Sequence, residues 1–348
     1  MYSRFYRMTK EPFHVTPNPE FLFLSPSHKE ALASLIYGVS KGKGFIVITG
    51  EVGVGKTTVL RSYLEKIDQR FHRIIYIFNS NLSFKGLLDT IYKELDLERN
   101  TDDEVEMVND LHRLMIEEYK QSRRLVLLID EAQNMPVKTL ENLRMLSNLE
   151  TSTEKLLQIV LVGQPELEQI LDRTELRQLK QRIAVHSVIL PLTRCQGINY
   201  IKHRLGKVAP KNALIFTRGA LRKIVKHAKG CPRTINILCD NALITGFGLS
   251  KKPVNAHIVR EVIADLDGKP LGFFWKRVLA PAAATFLLLG LFWVAPHRTF
   301  ILSAIKDHVT SVGPRLSVAM SKTKPSPDLH VQTPVVEEVL SLPVLEAE

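Results

Sequence analysis

The chain has 348 residues, 45% hydrophobic and 24% charged, enough for one large globular domain or two smaller ones. Three cysteines (Cys195, Cys231, Cys239) without disulfide or metal spacing, and 11 scattered histidines, exclude a disulfide scaffold and a metal centre built from Cys or His. Of the formal charge of +11, residues 297–348 contribute −1 (5 Lys/Arg, 6 Asp/Glu), which leaves +12 upstream and suits anionic partners such as nucleotide, nucleic acid or lipid headgroups.

The opening MYSRFYRMTKEPF has no continuous apolar stretch, so no secretory signal is expected and the start of the chain should face the cytoplasm. Leu32, Leu35, Ile36 and Val39 then recur at helical spacing, with Ser27 and Glu30 placed to form a capping box. Gly44–Gly50 (GFIVITG) reads as the first strand. Four more apolar runs follow: Arg73–Phe78, Arg124–Asp130, Leu157–Gly163 and Val185–Leu192. Helical patterns lie between them, which predicts an α/β fold with a parallel five-stranded sheet covered on both faces. After Thr193 the strands stop. Helices are expected at about 194–208, 217–229, 232–248 and 255–266, a helical lid over 193–268 on a core of 1–192. Residues 278–296 (VLAPAAATFLLLGLFWVAP) are 19 residues without a charge, about what a hydrocarbon core of roughly 30 Å requires. Trp275, Lys276, Arg277 and Trp293 flank or end that run as interfacial residues do, so a single transmembrane helix is expected there. Residues 297–348 are punctuated by prolines and weakly patterned, which predicts a short disordered tail.

Gly50-Glu51-Val52-Gly53-Val54-Gly55-Lys56-Thr57, followed by Thr58, matches the P-loop pattern G-x-x-x-x-G-K-[ST], between a predicted strand and a predicted helix. Its glycines let backbone N–H groups wrap phosphates at a helix N-terminus. Lys56 should reach the β- and γ-phosphates of ATP, and Thr57 should hold Mg²⁺. About 75 residues on, Leu125–Glu131 (LVLLIDE) delivers two carboxylates at the C-terminal end of a buried strand, where ligands of open α/β sheets bind. Asp130 is the second expected Mg²⁺ holder, and Glu131 should orient the attacking water. Gln164 ends the fourth strand and is placed to contact the γ-phosphate or the water. Arg182 leads into the fifth strand as the candidate arginine finger toward a neighbouring subunit, with Arg177 as its competitor. Arg233, in Gly230–Asn236 (GCPRTIN), should point at the phosphates from the start of a lid helix. Asn79 is a candidate for restraining Glu131.

These motifs resemble AAA+ ATPases. The segments FYRMTKEPFHVTPNPEFLFLSPSHKEALASLIYGV, GFIVITGEVGVGKTT, LLIDEAQNM, LVGQPEL, LKQRI and GCPRTINILCDNALI are similar to the ExeA/GspA group in particular, across about residues 1–268. That resemblance implies a membrane-anchored ATPase of an envelope secretion apparatus, with relatives at exopolysaccharide and PEP-CTERM protein-sorting loci. It implies homo-oligomers with an arginine finger in trans, a single pass through the bacterial inner membrane and a cytoplasmic ATPase domain. It places Pro12, Phe13, Pro17 and Tyr37 near the adenine. The tail is too short and too proline-rich for the peptidoglycan-binding domain that follows the span in related proteins. Two alternatives stand beside this reading. One is a DNA-associated ATPase of the transposition-helper type, favoured by the basic charge and opposed by the apolar span. The other is an ATP-gated scaffold with little turnover.

Overall fold

The computed structural model describes residues 1–268 except residues 17, 152–153 and 212. The apolar run 278–296 and the tail 297–348 lie outside the described residues. Among those described, no helix is long and apolar enough to cross a membrane.

Five parallel strands form one sheet in the order β2-β3-β4-β1-β5: β1 (Phe45–Gly50), β2 (His72–Ile77), β3 (Arg124–Ile129), β4 (Leu157–Gly163) and β5 (Ile183–Ile189). The three inner strands read as unbroken apolar runs because both of their faces are covered. Alternate residues of β1, β3 and β4 separate accordingly. Phe45, Val47, Leu125, Leu127, Ile159 and Leu161 join one buried cluster. Ile46, Ile48, Val126, Leu128, Val160 and Val162 join the other. The first cluster is closed by α4 (Phe84–Glu94), α5 (Glu104–Lys120) and α6 (Val137–Ser147). The second is closed by α2 (Pro26–Ser40) and α3 (Lys56–Lys66). The short helices α7 (Glu166–Leu171) and α8 (Arg177–Lys180) link β4 to β5.

Beyond β5 the chain is helical: α9 (Arg194–Gly206), α10 (Arg218–His227), α11 (Pro232–Gly248) and α12 (Ala256–Leu266). They share a third buried cluster, which also takes in Tyr2, Tyr6, Met8, Phe13 and Phe21 of the N-terminal segment. That segment, including the short helix α1 (Tyr2–Phe5), therefore packs on the C-terminal helices rather than on the sheet. Two local expectations change. The start of α2 is capped not by Ser27 and Glu30 but by Ser25, whose Oγ accepts from His28 N at 3.4 Å. Pro26, with φ preset for a first helical turn, moves the cap two residues back. Ser27 Oγ instead accepts from Leu190 N at 3.3 Å. The fifth strand runs 183–189 rather than 185–192. The chain past it turns to the helices, and Leu192 N donates to Gly230 O at 2.9 Å.

Candidate nucleotide site

The strand register decides what meets at the C-terminal edge of the sheet. Thr49 of β1 lies opposite Gly163 of β4, and Leu161 opposite Ile129 of β3. The loop after β1, the acids after β3 and Gln164 after β4 thus emerge side by side.

The loop 51–55 turns into α3 through two left-handed glycines, Gly53 (φ +76°) and Gly55 (φ +111°). Gly53 is required on a second count. A Cβ there would lie 2.8 Å from Arg233 Cβ and 2.9 Å from Cys231 Sγ, so only glycine lets α11 approach. Gly230 (φ +81°) has the same role on the other side, where a Cβ would lie 2.1 Å from Leu192 O. One backbone and one side-chain hydrogen bond fasten the start of α11 to the loop: Arg233 N donates to Gly53 O at 3.2 Å, and Cys231 Sγ donates to Val52 O at 3.5 Å. Lys56 opens α3 and folds its ammonium back into the loop, donating to Gly50 O at 2.7 Å and Glu51 O at 3.1 Å. Burial lowers its pKa, and the charges of Glu131 and Asp130 oppose that shift.

Asp130 is buried and held at both oxygens. Oδ2 accepts from Thr57 Oγ1 and from Tyr76 OH, each at 3.0 Å, and Oδ1 accepts from Glu131 N at 2.9 Å. A hydroxyl and a carboxylate in direct contact are the hard oxygen donors that Mg²⁺ takes, and so small a protein set suits an ion that keeps waters and substrate phosphates as its other ligands. Thr57 and Asp130 therefore fit the expected ion.

Glu131 adopts φ +51°, a rare conformation for a residue with a side chain, which points to an imposed geometry. Its Oε2 accepts from Gln133 Nε2 at 2.6 Å and from Gln164 Nε2 at 3.1 Å. Gln133 Oε1 in turn accepts from Gln164 N at 3.0 Å, so one glutamine fixes the other. Burial raises the carboxyl pKa, but the two glutamine bonds and the Lys56 charge outweigh it, and Glu131 sits below the usual carboxylate range.

One cavity of about 410 Å³ opens on this edge and is lined by Lys56, Thr57, Thr58, Glu131 and Arg233 among others. Several sequence candidates fall elsewhere. Arg182 donates to Ser147 Oγ at 3.1 Å and to Asn148 Oδ1 at the end of α6, away from its own chain's cavity. Arg177 is exposed and without a partner among the described residues. Asn79 does not restrain Glu131, because its Oδ1 accepts from Asn81 N at 3.3 Å within its own turn. Ser80 makes the contact there, donating to Glu131 O at 2.6 Å. Phe13 is buried against Phe216 and Tyr37 is exposed on α2, so neither lines the cavity; nor does Pro12, and Pro17 lies outside the described residues. The N-terminal segment lines the cavity instead through His14, Val15, Thr16, Asn18 and Phe21–Phe23, with Tyr200, Arg204 and Asn236.

The sequence reading also missed Gln133, Tyr76 and His28. Gln133 carried a signal in its place two residues past Glu131. His28 is buried and bridges α2 to the loop, with Nδ1 2.6 Å from Ser25 Oγ and Nε2 3.0 Å from Val54 O. With Nε2 donating to the carbonyl, Nδ1 is the acceptor, a neutral ring in keeping with a pKa lowered by burial.

Residues 39–171 match the AAA domain family. The chain carries an AAA domain. It is 39% identical over 294 residues to General secretion pathway protein A of Aeromonas hydrophila, covering 84% of this chain and 53% of that protein. The likeness to the ExeA/GspA group expected from the motifs is thereby met, although the chain spans little more than half of that relative, at 53%. Two solved structures share the fold. Cdc6p of Pyrobaculum aerophilum has a TM-score of 0.59 at 16% identity, covering 73% of this chain and 70% of that one. The ORC2 protein of Aeropyrum pernix has a TM-score of 0.57 at 14% identity, covering 74% and 72%.

Proposed function

We propose that the protein binds MgATP at this edge and hydrolyses it to drive or regulate assembly of an envelope secretion or exopolysaccharide export apparatus. The observation that carries the hydrolytic part is the Glu131 carboxylate, ionised and fixed by two glutamines at the mouth of a loop whose Lys56 is already buried. A site built only to hold nucleotide has no need of an aimed carboxylate. In this reading the loop N–H groups and Lys56 bind the phosphates, and Thr57 and Asp130 hold Mg²⁺. When bound, that ion neutralises charge on the phosphate oxygens. Glu131 orients a water for in-line attack on the γ-phosphorus, and Gln164 fixes Glu131. Arg233, joined to the loop through its own N–H, transmits the loss of the γ-phosphate to the C-terminal helices. Arg182 completes the site of a neighbouring copy by exchanging Ser147 and Asn148 for that copy's phosphates.

The secretion connection is supported by the relative's name. The inner-membrane placement, with the ATPase part cytoplasmic and the tail periplasmic, is supported by the uncharged run 278–296. Glu131→Gln tests the core of the proposal. It should leave ATP binding intact and lower turnover about a hundredfold or more, the usual contribution of a positioned base. Turnover at the wild-type rate would remove Glu131 from the mechanism.

A further inference from the structure

Arg204, on α9, is a cation that the phosphate-binding parts do not use. Its side chain is 4% exposed and lines the same cavity. Among the described residues no carboxylate pairs with it. The guanidinium lies over the ring of Phe21 at 4.9 Å and over that of Tyr200 at 5.5 Å. Nη1 donates to Tyr200 OH at 2.7 Å; Tyr200 OH donates to Asn236 Oδ1 at 2.9 Å; Asn236 Nδ2 donates to His14 O at 3.1 Å. Nε is buried with no partner.

A guanidinium is always charged and is a donor only. Burying it without a counter-charge is costly, and the two aromatic faces offset only part of that cost. The stack and the Tyr200–Asn236 chain hold its plane at one attitude while leaving donors unassigned. Such a group is preorganised for an acceptor that arrives with a ligand. The phosphates already have Lys56 and the loop, and none of the Arg204 chain bonds to that loop. What remains of a nucleotide is its ribose and its base, and of the two the base edge carries ring nitrogens that only accept, the complement of a group that only donates.

Resting on the ATP reading above, we propose that Arg204 reads the base of the bound nucleotide. Its guanidinium donates to a ring nitrogen of the purine, and Tyr200 and Asn236 position it.

The test uses the full chain and equilibrium binding of three kinds of probe: ATP, inorganic tripolyphosphate, and ATP analogues with a carbon at position 1, 3 or 7 of the purine. Arg204→Met should weaken ATP about tenfold or more while changing tripolyphosphate by less than about twofold, since a bond to a charged donor is lost only at the base. One of the three deaza analogues should show the same loss on the wild type and no further loss on Arg204→Met. Arg204→Lys should not restore ATP affinity, because an ammonium does not reproduce the planar fork. Equal weakening of ATP and tripolyphosphate in Arg204→Met would reduce Arg204 to a packing role. Binding of all three deaza analogues to the wild type as tightly as ATP would overturn the proposal without any variant. If the wild type binds neither ATP nor tripolyphosphate, the ATP reading itself falls, and this inference with it.

Discussion

Replacing His28 by leucine removes a side chain that ties α2 to the glycine loop. The imidazole donates to Val54 O at 3.0 Å from a site that is 4% exposed. Leucine fills most of that space but leaves the carbonyl without a partner, which costs about 1–3 kcal/mol. For a domain of this size, where about 1 kcal/mol shifts Tm by roughly 2–4 °C, the midpoint should fall by about 2–12 °C. The pH dependence gives a sharper readout. The pKa of His28 is lowered in the folded state, so between that value and the ordinary 6.5 the unfolded chain binds the extra proton. Stability contributed by the neutral ring is complete above 6.5 and is lost as the pH falls below it. The wild type should therefore lose stability from pH 7 toward pH 5.5, and His28→Leu should lose less. Because the lowered pKa of His203 acts in the same direction in both proteins, the difference between the two curves isolates His28. Urea denaturation at a series of pH values measures it. Parallel curves for the two proteins over that range would show that His28 does not hold the loop as a neutral ring.

Two further variants probe the catalytic edge. Gln164→Leu removes one of the two bonds that lower the Glu131 pKa and fix its side chain, so the acid limb of the pH–rate profile should move to higher pH, and the lost positioning should lower turnover at neutral pH about tenfold or more. An unmoved acid limb would separate Gln164 from Glu131 in function. Gly53→Ala places a methyl group 2.8 Å from Arg233 Cβ at φ +76°, a strain of about 1–3 kcal/mol, and should lower ATP affinity about tenfold, read by equilibrium binding.

The inner strands and the loop were legible because each was dictated locally. A strand buried on both faces must be an apolar run, and a backbone that wraps phosphates needs glycine at the left-handed positions. Helix starts followed the same logic at Pro232, but at α2 two serines competed, and Pro26 decided for Ser25. What escaped the sequence depended on contacts between distant segments. His28 meets Val54 only after α2 has packed beside α3. Arg204 is unusual only once Phe21, 183 residues earlier, has covered it. Of the residues expected near the adenine, Pro12, Phe13 and Tyr37 do not line the cavity, whose N-terminal lining is His14, Val15, Thr16, Asn18 and Phe21–Phe23, because Phe13 is drawn into the helical cluster against Phe216. The asparagine proposed as a restraint, Asn79, lost to the turn it sits in, a competition typical of short polar side chains.

Phosphate release from MgATP by the purified full chain, measured across a range of protein concentrations with and without duplex DNA, tests the central claim most directly. The account predicts turnover in the absence of DNA, with a rate per subunit that rises with concentration as neighbouring copies complete one another's sites. ATP bound at every concentration with no phosphate released, or released only when DNA is added, would contradict it.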